Sequence, residues 1–517
     1  MSTYEPNDDN TSNDDNYDNT TLTENGAVSH ETTNSPLLDF FFKITRDTPQ
    51  ESTVDMLKLS MENDPLRATK AVFHLRDCRG GKGEKARFYD CIRWLADSRY
   101  SDAISDNLHL IPKYGTYKDM FALCGTKLEL EMLKVYAEHL KNDINSLNDI
   151  NSLNDINIPE VLDYPLSISL AAKWAPTEGG SLDKKHNLAK KLCGLLRTTH
   201  SPEYVDIVDL KDYRQKLIAP LRAHLKIVER DMCAGNWENI KFENIPSIAS
   251  NLYRKAFSKH QPERYSKYLA DVADGKTKIN SSMVFPHQLV EHYIKDGEYD
   301  ETIELQWKSI VEKTREKFNN KSAIAVVDVS GSMSGTPLNV AIALGLLLSE
   351  CTDGSFANKL ITFSSTPELV NIPEGTLQSK VKSTMGINWQ MSTNLQKTFE
   401  LLLNFAKIFD VPADKMPSTV YVFSDMQFNI ATDKLNNFDA IDKLYSESMY
   451  SRPNLVFWNL RGDTIDFPAV SSSSKTALVS GFSQSLMDIF TNGDIIDPYT
   501  VMCKVLDSDR YDEVEYF

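Results

Sequence analysis

The sequence lacks the features that mark several large classes of protein. It has seven cysteines in 517 residues, an odd number, and no C-x-x-C pair. That usage fits reduced thiols in an intracellular protein and argues against a disulfide scaffold. No two of these cysteines have the spacing of a zinc ligand pair, so no cysteine-built zinc site is expected. No run of 18 apolar residues occurs, so no membrane span is expected. The N-terminus, Met1 to Asn10, carries no basic or apolar leader, so no secretory signal is expected. Both absences point to the cytosol or the nucleus.

Catalytic signatures are missing too. Arg79-Gly80-Gly81-Lys82-Gly83-Glu84-Lys85 is rich in glycine and base but lacks the spacing of a P-loop, and it follows helical rather than strand texture. His287 to His292 (HQLVEH) matches neither order of the zinc-protease helix. No nucleophile elbow or triad order is visible among the serines and histidines. Trp174, Trp237, Trp389 and Trp458 read as core or interface residues.

What the chain has is acid. There are 73 Asp and Glu against 56 Lys and Arg, a net charge of −17. Its distribution is uneven. Residues 1–35 hold eight acids and no Lys or Arg, residues 36–320 balance 42 acids with 42 bases, and residues 321–517 hold 23 acids and 14 bases. The neutral middle is therefore open to a polyanion, whatever the overall charge.

Residues 1–35, rich in Asn, Asp, Thr and Ser, are expected to be a disordered acidic tail. From residue 36 apolar residues recur at helical spacing: Ala68, Ala71, Val72 and Leu75; Phe88, Ile92 and Leu95; Leu188, Leu192 and Leu195; Leu217, Leu221, Leu225 and Val228. Gly and Pro breakers bound these runs. The pattern predicts an all-α array over residues 36–319, such as a HEAT-like solenoid or ring of helix pairs. Within it, Asp143–Asn157 repeats the hexapeptide DINSLN, and residues 142–158 are expected to form a low-complexity surface insertion, because Asn and Asp disfavour helix interiors.

After residue 320 the texture changes. Apolar strand-like runs at 323–327, 359–363, 419–423, 454–460 and 476–479 alternate with helical stretches at 337–350, 395–408, 433–445 and from Ser483. The alternation predicts a doubly wound, Rossmann-like α/β domain over residues 320–506. Residues 507–517 are expected to be a free acidic tail.

In such sheets ligands sit beyond the carboxyl ends of strands. The first apolar run ends in Asp328-Val329-Ser330-Gly331-Ser332, which puts one carboxylate and two hydroxyls on one loop. Thr393 opens the helix at 395, and Asp425 ends the run Thr419–Phe423 with Ser424. These are hard oxygen donors suited to Mg²⁺ or Mn²⁺, with Asp425 placed to act through water. Two carboxylates leave the ion electrophilic toward an incoming carboxylate or phosphate. Ser330 and Ser332 as plain helix caps are the bland alternative.

The three segments in this order resemble the metal-ion-dependent adhesion site of von Willebrand factor A domains, over about residues 320–500. That resemblance implies a metal site in which Asp328 is the direct carboxylate ligand and Ser330 and Ser332 are hydroxyl ligands. By the same resemblance Asp425 would hold a metal water, and Thr393 would bind directly when a partner docks. It also implies an acidic protein group as the incoming ligand. Ser424-Asp425-Met426-Gln427 departs from the family's common Thr-Asp-Gly in having no Gly after the carboxylate.

The helical half has resemblances of its own. Phe73 to Glu84, Tyr213 to Leu217, Asn244 to Ser247 and Val284 to His287 resemble an uncharacterised family of plants, fungi and large DNA viruses (domain of unknown function 2828), which pairs a helical region with a C-terminal von Willebrand A-like domain. The two-part order is also similar to the Ro (TROVE) family, where a helical ring binds RNA. That similarity implies structured RNA as a partner of the array. Three basic clusters are the candidate phosphate contacts: Arg76, Arg79, Lys82, Lys85 and Arg87; Lys184, Lys185, Lys190 and Lys191; and Arg254, Lys255 and Lys259, the last beside tyrosines. Solvated helix faces are the plain alternative.

The expectation is thus a non-enzymatic binding or scaffold protein with a Mg²⁺ site for an acidic partner and a helical array for a second partner. The rivals are a Mg²⁺-dependent phosphoester hydrolase using the same site, which needs a base or nucleophile not visible near it, and a structural protein with an inert site.

Overall fold

The computed structural model describes residues 19–156, 167–197, 207–295, 297–318, 322–364, 366–387, 393–429, 437–464, 466–490 and 495–516. Trp389 and the first 18 residues of the expected acidic tail lie outside these.

Eight strands are present among the described residues. β1 (Thr20–Leu22) and β2 (Val28–His30) form an antiparallel hairpin. β3 (Ala323–Asp328), β4 (Lys359–Phe363), β5 (Leu369–Asn371), β6 (Thr419–Ser424), β7 (Asn454–Asn459) and β8 (Thr476–Ser480) form one sheet in the order β5-β4-β3-β6-β7-β8. All its neighbours are parallel except the edge strand β5, which runs antiparallel to β4. The expected strands are all present; β5 adds an edge too short to show in the sequence pattern.

β3 is buried along its whole length because helices cover both faces of the sheet. Its residues alternate between two cores. Ile324 and Val326 join one, with Phe41, Leu402 and Met502. Ala325 and Val327 join the other, with Leu289, Ile310 and Leu344. The helix Thr336–Cys351 lies so close to β3 that a Cβ on Gly345 would meet Val327 Cγ2 at 2.5 Å.

The two halves of the chain are not packed separately. The helix Pro36–Lys43, started by Pro36 and by the Ser35 hydroxyl accepting from Leu38 N, packs on the sheet beside β8. At the other end of the expected helical domain, the helices Pro286–Lys295 and Glu301–Lys317 cover the opposite face. The helices between extend the first core outward. A smaller third core gathers Phe242, Phe257, Tyr265 and Leu269 around the helices Ser247–His260 and Pro262–Ala273.

Three expectations are corrected. Residues 19–35 are ordered: the β1–β2 hairpin is held by Thr23 Oγ1 donating to Phe428 O at 2.7 Å and by paired backbone bonds between His30 and Phe467. Polar composition concealed this, because its partners lie some 400 residues away. The hexapeptide repeat is helical and completes the helix Glu129–Ile156. Ile144 and Leu147 are buried at i, i+3 spacing, and Asp143 accepts from Ser169 N and Oγ. The C-terminal segment is docked: Tyr511 is buried, Arg510 pairs with Asp77, and Arg67 pairs with Asp507.

Candidate metal centre

β3 is the strand from which the sheet order departs in both directions, toward β4 on one side and β6 on the other. Its carboxyl end is therefore the place where an open α/β sheet leaves a crevice. Asp328 ends it. Val327 lies opposite Phe423 of β6, so Asp328 comes level with Ser424.

The Asp328 carboxylate is fully buried. Its Oδ1 accepts from Ser330 N at 2.9 Å, and its Oδ2 accepts from Ser424 Oγ at 2.6 Å. The Ser330 and Ser332 hydroxyls are 3.0 Å apart, and Ser332 is exposed, so the loop opens to solvent. Asp425 is also fully buried. Its Oδ1 accepts from Gln427 N at 3.2 Å, but its Oδ2 is enclosed without any donor. Burial and the charge of Asp425 push the Asp328 carboxyl above the usual carboxylate range, while the Ser424 hydroxyl pulls it back.

Arg461 Nη1 donates to Ser332 O at 2.9 Å and lies 3.9 Å from Asp425 Oδ2, beyond hydrogen-bond reach. Its guanidinium is paired with Asp463, so its charge is shared. Two buried carboxylates thus face one mouth; Arg461 is shared with Asp463, and the buried Lys43, whose charge also acts on Asp425, donates its ammonium to Thr464 Oγ1 and Asp466 O. An uncompensated buried oxygen of this kind is the feature a bound cation relieves.

Thr393 sits at the rim. Its hydroxyl donates to Gln427 O at 2.5 Å, in the loop after Asp425. Ser392 lies outside the described residues. The turn after Asp425 is shaped as a glycine would shape it: Met426 takes φ of 69°, a left-handed conformation that costs a side-chain-bearing residue about 1 kcal/mol. The Met426 side chain is buried there.

The structure thus brings Asp328, Ser330, Ser332 and Asp425 to one loop cluster, with Thr393 linked through Gln427. A family model described as a domain of unknown function, DUF2828, matches residues 23–128 and 126–319, more than half of the chain. The chain belongs to the DUF2828 family. A second model, a domain of unknown function (DUF7788), matches residues 322–514 of this DUF2828 chain. The chain is also 29% identical, over 520 aligned residues, to an uncharacterised protein of Acanthamoeba polyphaga mimivirus, an alignment covering 95% of this chain and 87% of that protein.

Sequence reasoning missed two residues of the DUF2828 chain's centre. Arg461 follows β7 and carries no motif. Gln427 is the hub of the loop: its amide accepts from Glu24 N and donates to Asp466 Oδ1, both at 2.7 Å, while its carbonyl accepts from Thr393 and from Asn25 Nδ2. Only its place two residues after Asp425 was visible in the sequence.

The basic clusters fare differently from one another. In the first, Arg76 is buried against Asp119, and Lys82 is enclosed, donating to Phe41 O, Ile44 O and Ser480 Oγ. Lys85 pairs with Asp119 and Arg87 with Asp90, while Arg79 donates to Lys113 O. These residues hold the protein together, and Arg76 and Lys82 cannot reach a phosphate. In the second, Lys184, Lys185, Lys190 and Lys191 are exposed, with Lys191 paired to Glu129. In the third, Arg254 pairs with Asp300, and Lys255 and Lys259 are exposed. No helix among the described residues is long and apolar enough to cross a membrane.

Proposed function

We propose that this protein is a binding scaffold whose C-terminal domain is von Willebrand A-like and holds Mg²⁺ or Mn²⁺ at Asp328, Ser330, Ser332 and Asp425, to engage an acidic group of a partner protein. The observation that carries the reading is the buried Asp425 Oδ2, which has no donor, beside a second buried carboxylate and two hydroxyls. The sheet order and the position of Asp328 at its crevice support it. The donor set is all oxygen, as a hard dication requires.

When bound, the ion would supply an electrophilic coordination position for a carboxylate. The protein's own groups do the rest. Ser424 fixes the Asp328 rotamer through a 2.6 Å hydrogen bond. Arg461 anchors the serine loop through Ser332 O. Direct engagement of Thr393 requires its hydroxyl to give up Gln427 O.

For the helical half, the reading is a second partner surface, with structured RNA as its ligand. Its phosphate contacts fall to Lys184, Lys185, Lys190, Lys255 and Lys259, because Arg76 and Lys82 are engaged internally. Filter binding of a structured RNA across a salt series should show a steep loss of affinity. No binding at low salt removes this surface from the proposal.

The test of the metal reading is a Mg²⁺ titration followed by thermal unfolding, with wild type and Asp328→Ala. Wild type should gain stability with added Mg²⁺ and the variant should not. A pull-down with and without Mg²⁺ then reads the partner. Equal Mg²⁺ response in both proteins overturns the site.

A further inference from the structure

The sequence offers no zinc ligand pair, yet the fold assembles one mixed set from distant elements. Cys124 lies in the turn before the helix Glu129–Ile156, Glu129 is that helix's first residue, and His186 ends the short helix Ser181–His186. One ligand atom from each of these three residues lies within 4.8 Å of the others. The three are remote in sequence from the metal centre above, and they adjoin the lysines of the second basic cluster, with His186 next to Lys185 and Glu129 paired with Lys191.

The donor types are a soft thiolate, an imidazole and a carboxylate. Together they select a borderline ion such as Zn²⁺, not Mg²⁺. Four-coordinate Zn²⁺ holds sulfur at ~2.3 Å and nitrogen at ~2.0 Å, which places its ligand atoms roughly 3.5 Å apart. The three ligand atoms lie within 4.8 Å of one another, so side-chain rotation alone can bring them to that spacing. The carboxylate already has the outer support that a metal ligand needs. Gly125 N donates to Glu129 Oε2 at 2.6 Å and Lys191 pairs with Oε1, orienting the group while leaving lone pairs free. Burial and the Glu129 carboxylate push the Cys124 thiol up to about 11 against the weaker opposing charges of Lys191, Arg93 and Lys185, so the metal-free site holds the thiol and the ion must displace its proton. All three ligand residues are half-buried, so the site is reachable from solvent.

We propose that Cys124, Glu129 and His186 bind one Zn²⁺, with water as the fourth ligand. Binding displaces one proton from the thiol, with no change in oxidation state. The ion ties the chain around His186 to the start of the 129–156 helix. That junction is otherwise bridged by the Lys191–Glu129 ion pair and by packing of the helix Leu188–Leu196.

The full-length, metal-free protein is titrated with Zn²⁺, and separately with Co²⁺ as a spectroscopic stand-in. Wild type should bind one equivalent of Zn²⁺ that Cys124→Ser or His186→Ala weakens by about tenfold or more. Its Co²⁺ form should show a thiolate charge-transfer band that Cys124→Ser abolishes. Zn²⁺ should also protect Cys124 from alkylation in wild type, as read by peptide mass, a measurement independent of any variant's folding. Undiminished Zn²⁺ affinity in folded Cys124→Ser, or alkylation of Cys124 unaffected by Zn²⁺, overturns the proposal. Asp328→Ala should leave all three readouts unchanged, which separates this site from the Mg²⁺ centre.

Discussion

Lys82, in the loop after the helix Pro65–Arg76, donates its ammonium to Ser480 Oγ at the end of β8, 2.7 Å away and 398 residues later. The same ammonium donates to Phe41 O and Ile44 O, so its three protons meet three acceptors. This contact fastens the helical half to the last strand of the sheet. Replacing Lys82 by Ala leaves two buried carbonyls without a donor and should cost about 2–4 kcal/mol. Urea unfolding at constant slope checks this. A neutral result would mean that burying the ammonium costs as much as its hydrogen bonds return.

Asp425→Asn makes a prediction of opposite sign for the two states of the metal centre. Removing one of two facing buried carboxylates relieves their repulsion, so the metal-free protein should gain about 1 kcal/mol. The variant should also lose its stabilisation by Mg²⁺. If Arg461 were a sufficient partner for Asp425, the variant would instead be destabilised without metal. Thermal unfolding in chelator and in Mg²⁺ reads both arms.

His74 carries a pH dependence. It is fully enclosed, stacked on Phe41 and bonded through Nδ1 to Tyr511 OH at 2.9 Å. Burial, with Lys82 nearby, pushes its pKa down to about 3. The unfolded chain then binds a proton that the folded chain refuses, between the ordinary value of 6.5 and about 3. In that window stability falls as pH falls, by about 1.4 kcal/mol per unit for this one group. Denaturant melts from pH 6.5 to 4.5 should show a shallower decline in His74→Gln than in wild type. Equal slopes would mean that His74 charges in the folded state.

The C-terminal segment should behave as a clamp. Arg510 pairs with Asp77, a carboxylate with no exposure, and Tyr511 OH donates to the same group at 3.0 Å. Arg510→Ala leaves that carboxylate buried without its cation and should cost about 3 kcal/mol. Truncation before Asp507 should cost more, since it also exposes the face that Tyr511 covers. Both are read from unfolding midpoints. An unchanged midpoint after truncation would return the segment to the status of a free tail.

The candidate site was legible to the extent that chemistry followed local pattern. Asp328 and Asp425 end continuous apolar runs, and parallel strands bring their carboxyl ends to one edge, so both could be placed together from the sequence. Arg461 and Gln427 were not legible, because each acts through partners distant in the chain. The basic cluster from Arg76 to Arg87 was legible as charge but not as structure. Asp119 and the carbonyls of Phe41, Ile44 and Lys113 that engage it belong to other segments, and nothing in the run of bases shows them. His186 is likewise separated from Cys124 and Glu129 by a helix of 28 residues.

The sequence alone therefore determined the local periodicities: apolar strands alternating with helices after residue 320, helices before it, and a loop of hard oxygen donors at a strand end. Those are properties of neighbours in the chain. Tertiary structure alone decided which polar segments are ordered, which charges are satisfied, and where the two halves meet. The β1–β2 hairpin, the docked C-terminal segment and buried Lys82 all depend on partners hundreds of residues away, whose contribution exists only once the sheet and its helices have closed around them.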